Sequence, residues 1–306
     1  MVKFNRRKML KILAGAAVVG GIASKFYFFN EPMTQASVRE GQVLCDLHAH
    51  PTHKAGLDEI VTGLSSPGLV GLTVKDIDAT GKDVLRYEQA LDILPSGSYT
   101  EIDKGRVARI GQGYFARTQE IQVGKHHILA VGWEGNDYFP NMENIEEAVR
   151  KIHEKKGIVV LNHPFALIIG QNVRMPKSDA ERNEIRHAYR CVDEVETHNA
   201  YCIDLVPGIV AMKQANRDAE QLRLEEFPHF KGTASSDCHR RWSQIKITGI
   251  YVPQSTVESG MDGIKSTIKN GDFVKLGDAD AGPYVSRGSF ALGMGADILV
   301  SIFGSK

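Results

Sequence analysis

Cysteine is scarce in this chain, four in 306 residues, and no two cysteines stand in a C-x-x-C pair. That spacing argues against a cysteine-only zinc site. An oxidising compartment would permit a Cys191–Cys202 bridge, but nothing in the sequence requires one. Buried free thiols are the expectation. Charge of one sign is lacking too: 37 Lys and Arg balance 37 Asp and Glu. The balance gives no basis for broad electrostatic attraction to nucleic acid, so no stable nucleic-acid binding is expected. Low-complexity tracts and repeats of solenoid length are missing. No apolar run reaches the ~20 residues of a spanning helix; the stretch Ile12 to Ser24 is cut short by Lys25. What is present is 42 % hydrophobic and 24 % charged residues, an ordinary globular balance with length for one large domain or two small ones.

The first thirty residues stand apart. "NRRKMLKILAGAAVVGGIASKFYFF" opens on Lys3, Arg6, Arg7, Lys8 and Lys11 and continues into small apolar residues, the layout of a secretory signal. Arg6-Arg7 followed by Lys8-Met9-Leu10-Lys11 resembles the bacterial twin-arginine signal. The twin-arginine export machinery is therefore an expected partner, and the expected location is the periplasm or the outer face of the cytoplasmic membrane. Retention as an uncleaved anchor is the alternative, because no clear A-x-A site appears.

After residue 40 short β-rich runs end in polar tips: "QVLCDLHAH", "LVGLTVKDID", "YFARTQEIQV", "HHILAVGW", "GIVVLNHPF", "CVDEVETHN" and "FKGTASSDCH". Helical stretches lie between them at Leu57–Leu64, Lys82–Leu94, Asn144–Lys156, Ser178–Tyr189 and Ile209–Leu224. Only Gly124 and Lys125 separate the third run from the fourth, which predicts a hairpin. The alternation predicts an α/β domain with a largely parallel sheet, over 41–277. Both a barrel and a doubly wound sheet place ligands beyond strand carboxyl ends, and periodicity does not separate the two. "ILPSGSYTEIDKG" is expected as a surface excursion over the barrel mouth. The Gly-rich tail 278–306 has no assigned role.

The tips carry metal-ligand chemistry. Residues two apart share a strand face, so Asp46, His48 and His50 point one way. Two imidazoles at that spacing grip one cation, and a neighbouring carboxylate orients a ring. Glu120, His126, His127, His163, Asp237 and His239 stand at other tips, the last two placed on one face with Cys238 on the other. Singly, each is a hydrogen-bonded polar residue; together they converge on one pocket.

"DLHAHPT", "GLVGLTVKDID", "GIVVLNHPF" and "GTASSDCH" resemble the four motifs of the PHP (polymerase and histidinol phosphatase) family, from about Val43 to Tyr251. The resemblance implies a distorted seven-stranded β/α (TIM-like) barrel, and phosphoester hydrolysis with two or three divalent metal ions. Carried over, His48, His50, Glu120 and Asp237 hold a first ion. Glu120 bridges to a second held by His163 and His127, which matches better than His126 because it directly precedes "ILAVG". The second motif departs: the family's Asp-His-Asp reads Asp76-Ile77-Asp78 here, and Ile77 offers no ligand. For a third site His239 remains, with His53, Asp76 and Asp78 as substitutes; Asp76 and Asp78 otherwise only hold their loop.

Mixed His and carboxylate ligation suits Zn²⁺, Mn²⁺ or Fe²⁺. The reaction expected is attack of a metal-activated water on a small phosphomonoester or nucleotide. Arg240 and Arg241 are placed to meet a phosphate, or else form a solvated pair. His198, sharing a face with Glu194 and Glu196, would contact substrate or protonate a leaving group, or else sit in the second layer. The competing functions are a non-catalytic, metal-stabilised binding domain and a metal-dependent hydrolase of a non-phosphate bond.

Overall fold

Every apolar run that ends in a polar tip forms a strand. The computed structural model describes residues 39–50, 68–75, 85–169, 172–200, 213–238, 245 and 248–276, all within the unit Gln35–Gly282. The strands are β1 (Gln42–Ala49), β2 (Gly68–Val74), β3 (Tyr99–Asp103), β4 (Val107–Ile110), β5 (Gly113–Val123), β6 (His126–Val131), β7 (Ile158–Asn162), β8 (Leu167–Ile169), β9 (Asn172–Arg174), β10 (Glu194–Asn199), β11 (Thr233–Ser235), β12 (Gly249–Pro253) and β13 (Val274–Leu276). The helices are α1 (Tyr87–Ile93), α2 (Ile145–Glu154), α3 (Asp179–Cys191), α4 (Lys213–Glu226), α5 (Gln254–Glu258) and α6 (Met261–Asn270).

The main sheet runs β11-β10-β7-β6-β5-β2-β1-β12-β13. Its seven strands from β11 to β1 curl until the ends meet. Ala49 bridges Cys238, His50 N–H donates to Cys238 O at 2.7 Å, and Asp237 N–H donates to His48 O at 2.8 Å. The result is a mixed α/β fold with a nearly closed, barrel-shaped sheet. β1, β2 and β5 pair in parallel, as do β7, β10 and β11; β6 joins the two sets antiparallel to both β5 and β7, and β12 is antiparallel to β1. The β5–β6 hairpin falls where Gly124 and Lys125 predict it.

Local chemistry accounts for the helices. Asn144 Oδ1 accepts from Glu147 N at 2.8 Å and Ser178 Oγ from Glu181 N at 3.2 Å, so α2 and α3 start on side-chain caps. On α2, Ile145, Ala148, Val149 and Ile152 are buried at helical spacing. They pack with Ile121, Ile128, Val159, Leu161 and Val195 on the outer faces of the strands. Among the described residues no helix is long and apolar enough to cross a membrane.

Polarity changes along single strands. Leu129 pairs with Val160 and Val131 with Ile158, inside one apolar cluster. Two residues further on the same faces, His127 pairs with Asn162, and both are buried and polar. One end of the barrel is thus filled by hydrocarbon and the other by hydrogen-bonding groups. Gly71 adapts the sheet to this end: a Cβ there would stand 2.2 Å from Leu47 O, beside the irregular register between Asp46 and Ala49. The missing side chain lets β1 kink, and β1 carries His48.

Two expectations require correction. "ILPSGSYTEIDKG" is no excursion over the mouth: Tyr99–Asp103 pairs with Val107–Ile110, and β4 pairs with Gly113–Ala116 at the start of β5, before Glu120. The segment extends the sheet at the end away from the polar tips, because Tyr99–Asp103 pairs as a strand despite the Pro95 and Gly97 turn before it. Nor does strand alternation bring Asp237 to the tips. β11 ends at Ser235, and Asp237 lies in left-handed backbone at φ 49°. Cys45, Cys191 and Cys238 are in no disulfide; Cys45 and Cys238 are buried and Cys191 is half-buried. His53, Asp76, Asp78, Cys202, His239, Arg240, Arg241, the stretch Leu57–Leu64, the leading 1–38 and the tail from 277 lie outside the described residues.

Candidate metal centre

Glu120 stands at the middle of the polar end. Its Oε1 lies 2.6 Å from His127 Nδ1, 3.3 Å from His163 Nε2 and 3.4 Å from His48 Nε2. Its Oε2 lies 3.4 Å from His50 Nε2 and 2.8 Å from Lys75 Nζ. Asp237 completes the ring, with Oδ1 3.4 Å from His48 Nε2 and 3.2 Å from His50 Nε2, and Oδ2 3.8 Å from His163 Nε2. Donor atoms fall into three overlapping groups, each within 4.8 Å: His48, His50 and Glu120; His48, His163 and Asp237; Glu120, His127 and His163. All six side chains are buried. They come from five segments of the chain: β1 with the residue after it, β5, β6, the residue after β7 and the turn after β11.

A second layer fixes these atoms. Glu196 Oε1 lies 3.3 Å from His48 Nδ1 and accepts from Ser235 Oγ; its Oε2 accepts from His163 N at 2.8 Å and Asn199 Nδ2 at 2.9 Å. Asn199 Nδ2 also donates to Asp237 Oδ2 at 3.2 Å. His50 Nδ1 lies 3.1 Å from Thr73 O, and Asp46 Oδ1 accepts from Ser236 N at 3.0 Å. His163 and Asp237 hold positive φ, 26° and 49°. For residues other than Gly such backbone costs on the order of 1–3 kcal/mol each and persists only where surroundings enforce it. Here the enforcing bonds are those to Glu196 and His48 O.

Among the described residues the electrostatics are unbalanced toward negative. Asp46, Glu120, Glu196 and Asp237 are all buried. Burial opposes charge on His48, yet Asp237, Glu196 and Glu120 overcome it and raise its pKa well above the usual imidazole range. His163 is raised on the same balance of burial against Glu120 and Asp237. For His127 burial prevails over Glu120 and the pKa falls. Glu120 is buried too, but His127 and Lys75 hold its pKa well below the usual carboxylate range. Without a cation, imidazoles must take up protons to balance the carboxylates. Meanwhile His127 Nδ1 and His163 Nδ1 lack a well-directed hydrogen bond, among the described residues. Buried imidazoles and carboxylates with spare lone pairs fit divalent cations of the Zn²⁺, Mn²⁺ or Fe²⁺ type.

The structure brings together His48, His50, Glu120, His127, His163 and Asp237, the six described residues among those named as ligands from the sequence. The phase of β6 separates these two neighbours: His127 faces Glu120, and His126 takes the other face of the strand. His198 is half-buried, follows a register shift after Glu196, and is absent from the three donor groups. Glu194 turns elsewhere, accepting from Lys231 N and Gly232 N. Sequence reasoning gave no role to Lys75, Asn162 or Asn199, and saw in Glu196 only a face shared with His198. The signal available was position: Lys75, Asn162 and Asn199 each stand at or just after a strand end, next to a residue named from the sequence.

Neither a family model nor a curated protein matches this chain. Among solved structures, PfuEndoQ from Pyrococcus furiosus, described as a novel lesion-specific endonuclease, aligns at TM-score 0.46 and 14 % identity over 77 % of this chain and 58 % of that one. Endonuclease Q in complex with a 27-mer duplex substrate bearing an abasic lesion at the active site aligns at 0.41 and 15 %, over 73 % and 57 %. This chain spans less than two thirds of each of those, and at such scores the likeness carries no argument. PsfC from Pseudomonas syringae PB-5123 aligns at TM-score 0.52 and 13 % identity, over 86 % of this chain and 100 % of that one. The likeness to PsfC is one of fold: a mixed α/β chain whose sheet curls into a near-closed barrel.

Proposed function

We propose that this protein is a metal-dependent phosphoesterase of the PHP type. One observation carries the reading: a buried carboxylate, Glu120, turns one oxygen toward His127 and His163 and the other toward His50, with His48 and Asp237 closing the ring. That is the donor arrangement of two cations sharing a carboxylate. His48, His50, Glu120 and Asp237 would hold one ion, and Glu120, His127 and His163 the other. Divalent ions bound there supply Lewis acidity and an acidified water suited to attack on phosphorus.

The chain's own groups do the rest. Glu196, through His48 Nδ1, fixes which imidazole nitrogen faces inward. Ser235 and Asn199 hold Glu196, and Asn199 orients Asp237. The substrate class proposed is a small phosphomonoester or nucleotide. Full-length protein loaded with Mn²⁺ should hydrolyse p-nitrophenyl phosphate, a nucleotide or a short oligonucleotide, and chelation should abolish turnover. Inertness toward that whole panel with metal bound would overturn the reading. Inorganic phosphate should inhibit; turnover of amides or cyclic esters that phosphate does not inhibit would point to another bond.

Export by the twin-arginine route is proposed on Arg6-Arg7 ahead of the apolar stretch Ile12 to Ser24. Replacing both arginines by lysine should hold the protein in the cytoplasm, and continued export would refute that route.

A further inference from the structure

Lys75 differs from every other group at the centre. The six donor side chains are 1–7 % exposed, whereas that of Lys75 is 30 % exposed. It follows the last residue of β2, and its Nζ stands 2.8 Å from Glu120 Oε2, the oxygen that also faces His50 Nε2. A side chain so placed joins the buried carboxylate to solvent.

Electrostatics makes this an odd choice for a prop. A fixed positive charge on a carboxylate that is to bind divalent cations repels those cations. Asn or Ser would hold the oxygen equally well without that repulsion, as Asn199 does for Asp237. A cation partly exposed to water at the edge of a phosphoester site has a second use, since it attracts the substrate's negative charge.

Resting on the metal reading above, we propose that Lys75 is the substrate-anion receptor of this centre: anchored on Glu120, its ammonium takes up an oxygen of the phosphoester and weakens metal binding in doing so. Calorimetric titrations of the full chain test this. Mn²⁺ is titrated into wild type and Lys75→Met, then inorganic phosphate into each Mn²⁺-saturated protein. Lys75→Met should bind Mn²⁺ more tightly, by about threefold to tenfold, and phosphate about tenfold or more weakly. Lys75→Arg should keep phosphate binding within about threefold of wild type. Lys75→Gln replaces the Met variant if that one fails to fold. Unchanged phosphate affinity overturns the proposal. So does loss of Mn²⁺ affinity, which would make Lys75 a prop for Glu120. A wild-type chain that takes up no Mn²⁺ sinks the metal reading itself, an outcome read before any variant is measured.

Discussion

Two groups of metal-ligand side chains occur among the described residues, and they differ in everything except residue type. One is the centre around Glu120. The other lies on helices: Glu146 of α2 with His187 and Cys191 of α3, also within 4.8 Å of one another. His187 Nε2 sits 2.7 Å from Glu146 Oε1, and Cys191 Sγ donates to His187 O at 3.3 Å. The helical group satisfies itself: an imidazole meets a carboxylate, a thiol meets its own helix, and both ionic partners are about half exposed. In the strand-end centre, carboxylates outnumber nearby lysine, imidazole nitrogens stay without well-directed bonds, and a second layer spends Glu196, Asn199 and Ser235 on orientation. Proximity of ligand types is common on surfaces. Buried carboxylates in excess of the described cations beside them are costly, and folds keep them where an ion restores the balance.

The comparison breaks first at Glu120. Glu120→Gln keeps shape and removes the shared charge. It should lower kcat/KM by well over the roughly 10–100-fold that follows loss of an outer partner, and metal content by elemental analysis should fall with it. Glu146→Gln should change neither. Glu196→Gln belongs in the intermediate range, about 10–100-fold in metal affinity or turnover, because it releases His48 and the His163 backbone without removing a ligand. Equal, negligible effects of Glu120→Gln and Glu146→Gln would erase the distinction between the two groups.

Metal removal sharpens it in stability. With free Mn²⁺ at 100 times its dissociation constant, binding to the folded state contributes about 2.7 kcal/mol, roughly 5–11 °C in Tm for a domain of this size. Chelator should take that increment away from wild type, and from a His187→Ala variant alike. Glu120→Gln should show little of it. A chelator effect that persists in full in Glu120→Gln would locate the stabilising ion elsewhere.

Much of the centre was readable because strand ends obey a two-residue alternation. His48 and His50 on one face follow from phase, whereas His127 in preference to His126 came from the family resemblance. What phase could not supply was adjacency. Glu196 meets His48 across 148 residues because β10 lies between β7 and β11, and no local pattern encodes that neighbour. Backbone sign was equally hidden. Positive φ is read from Gly in sequences, yet His163 and Asp237 adopt it under tertiary enforcement. The barrel itself came from the family resemblance, and the β3–β4 hairpin was hidden behind the turn residues Pro95 and Gly97.

The smallest effect expected is at the helical group, and it tests the charge argument directly. The double variant His187→Ala, Cys191→Ser removes two of its three donors from an exposed helix face. An exposed ion pair of this kind is worth at most about 1 kcal/mol, and most surface substitutions stay within about 0.5 kcal/mol. Turnover, Mn²⁺ stoichiometry and the chelator-induced Tm shift should therefore match wild type. Zn²⁺, which prefers the thiolate and imidazole pair, gives the stricter assay. If the double variant binds one Zn²⁺ fewer than wild type at micromolar metal, then exposure and self-satisfied charge do not disqualify a cluster, and the argument that singles out Glu120 loses its physical basis.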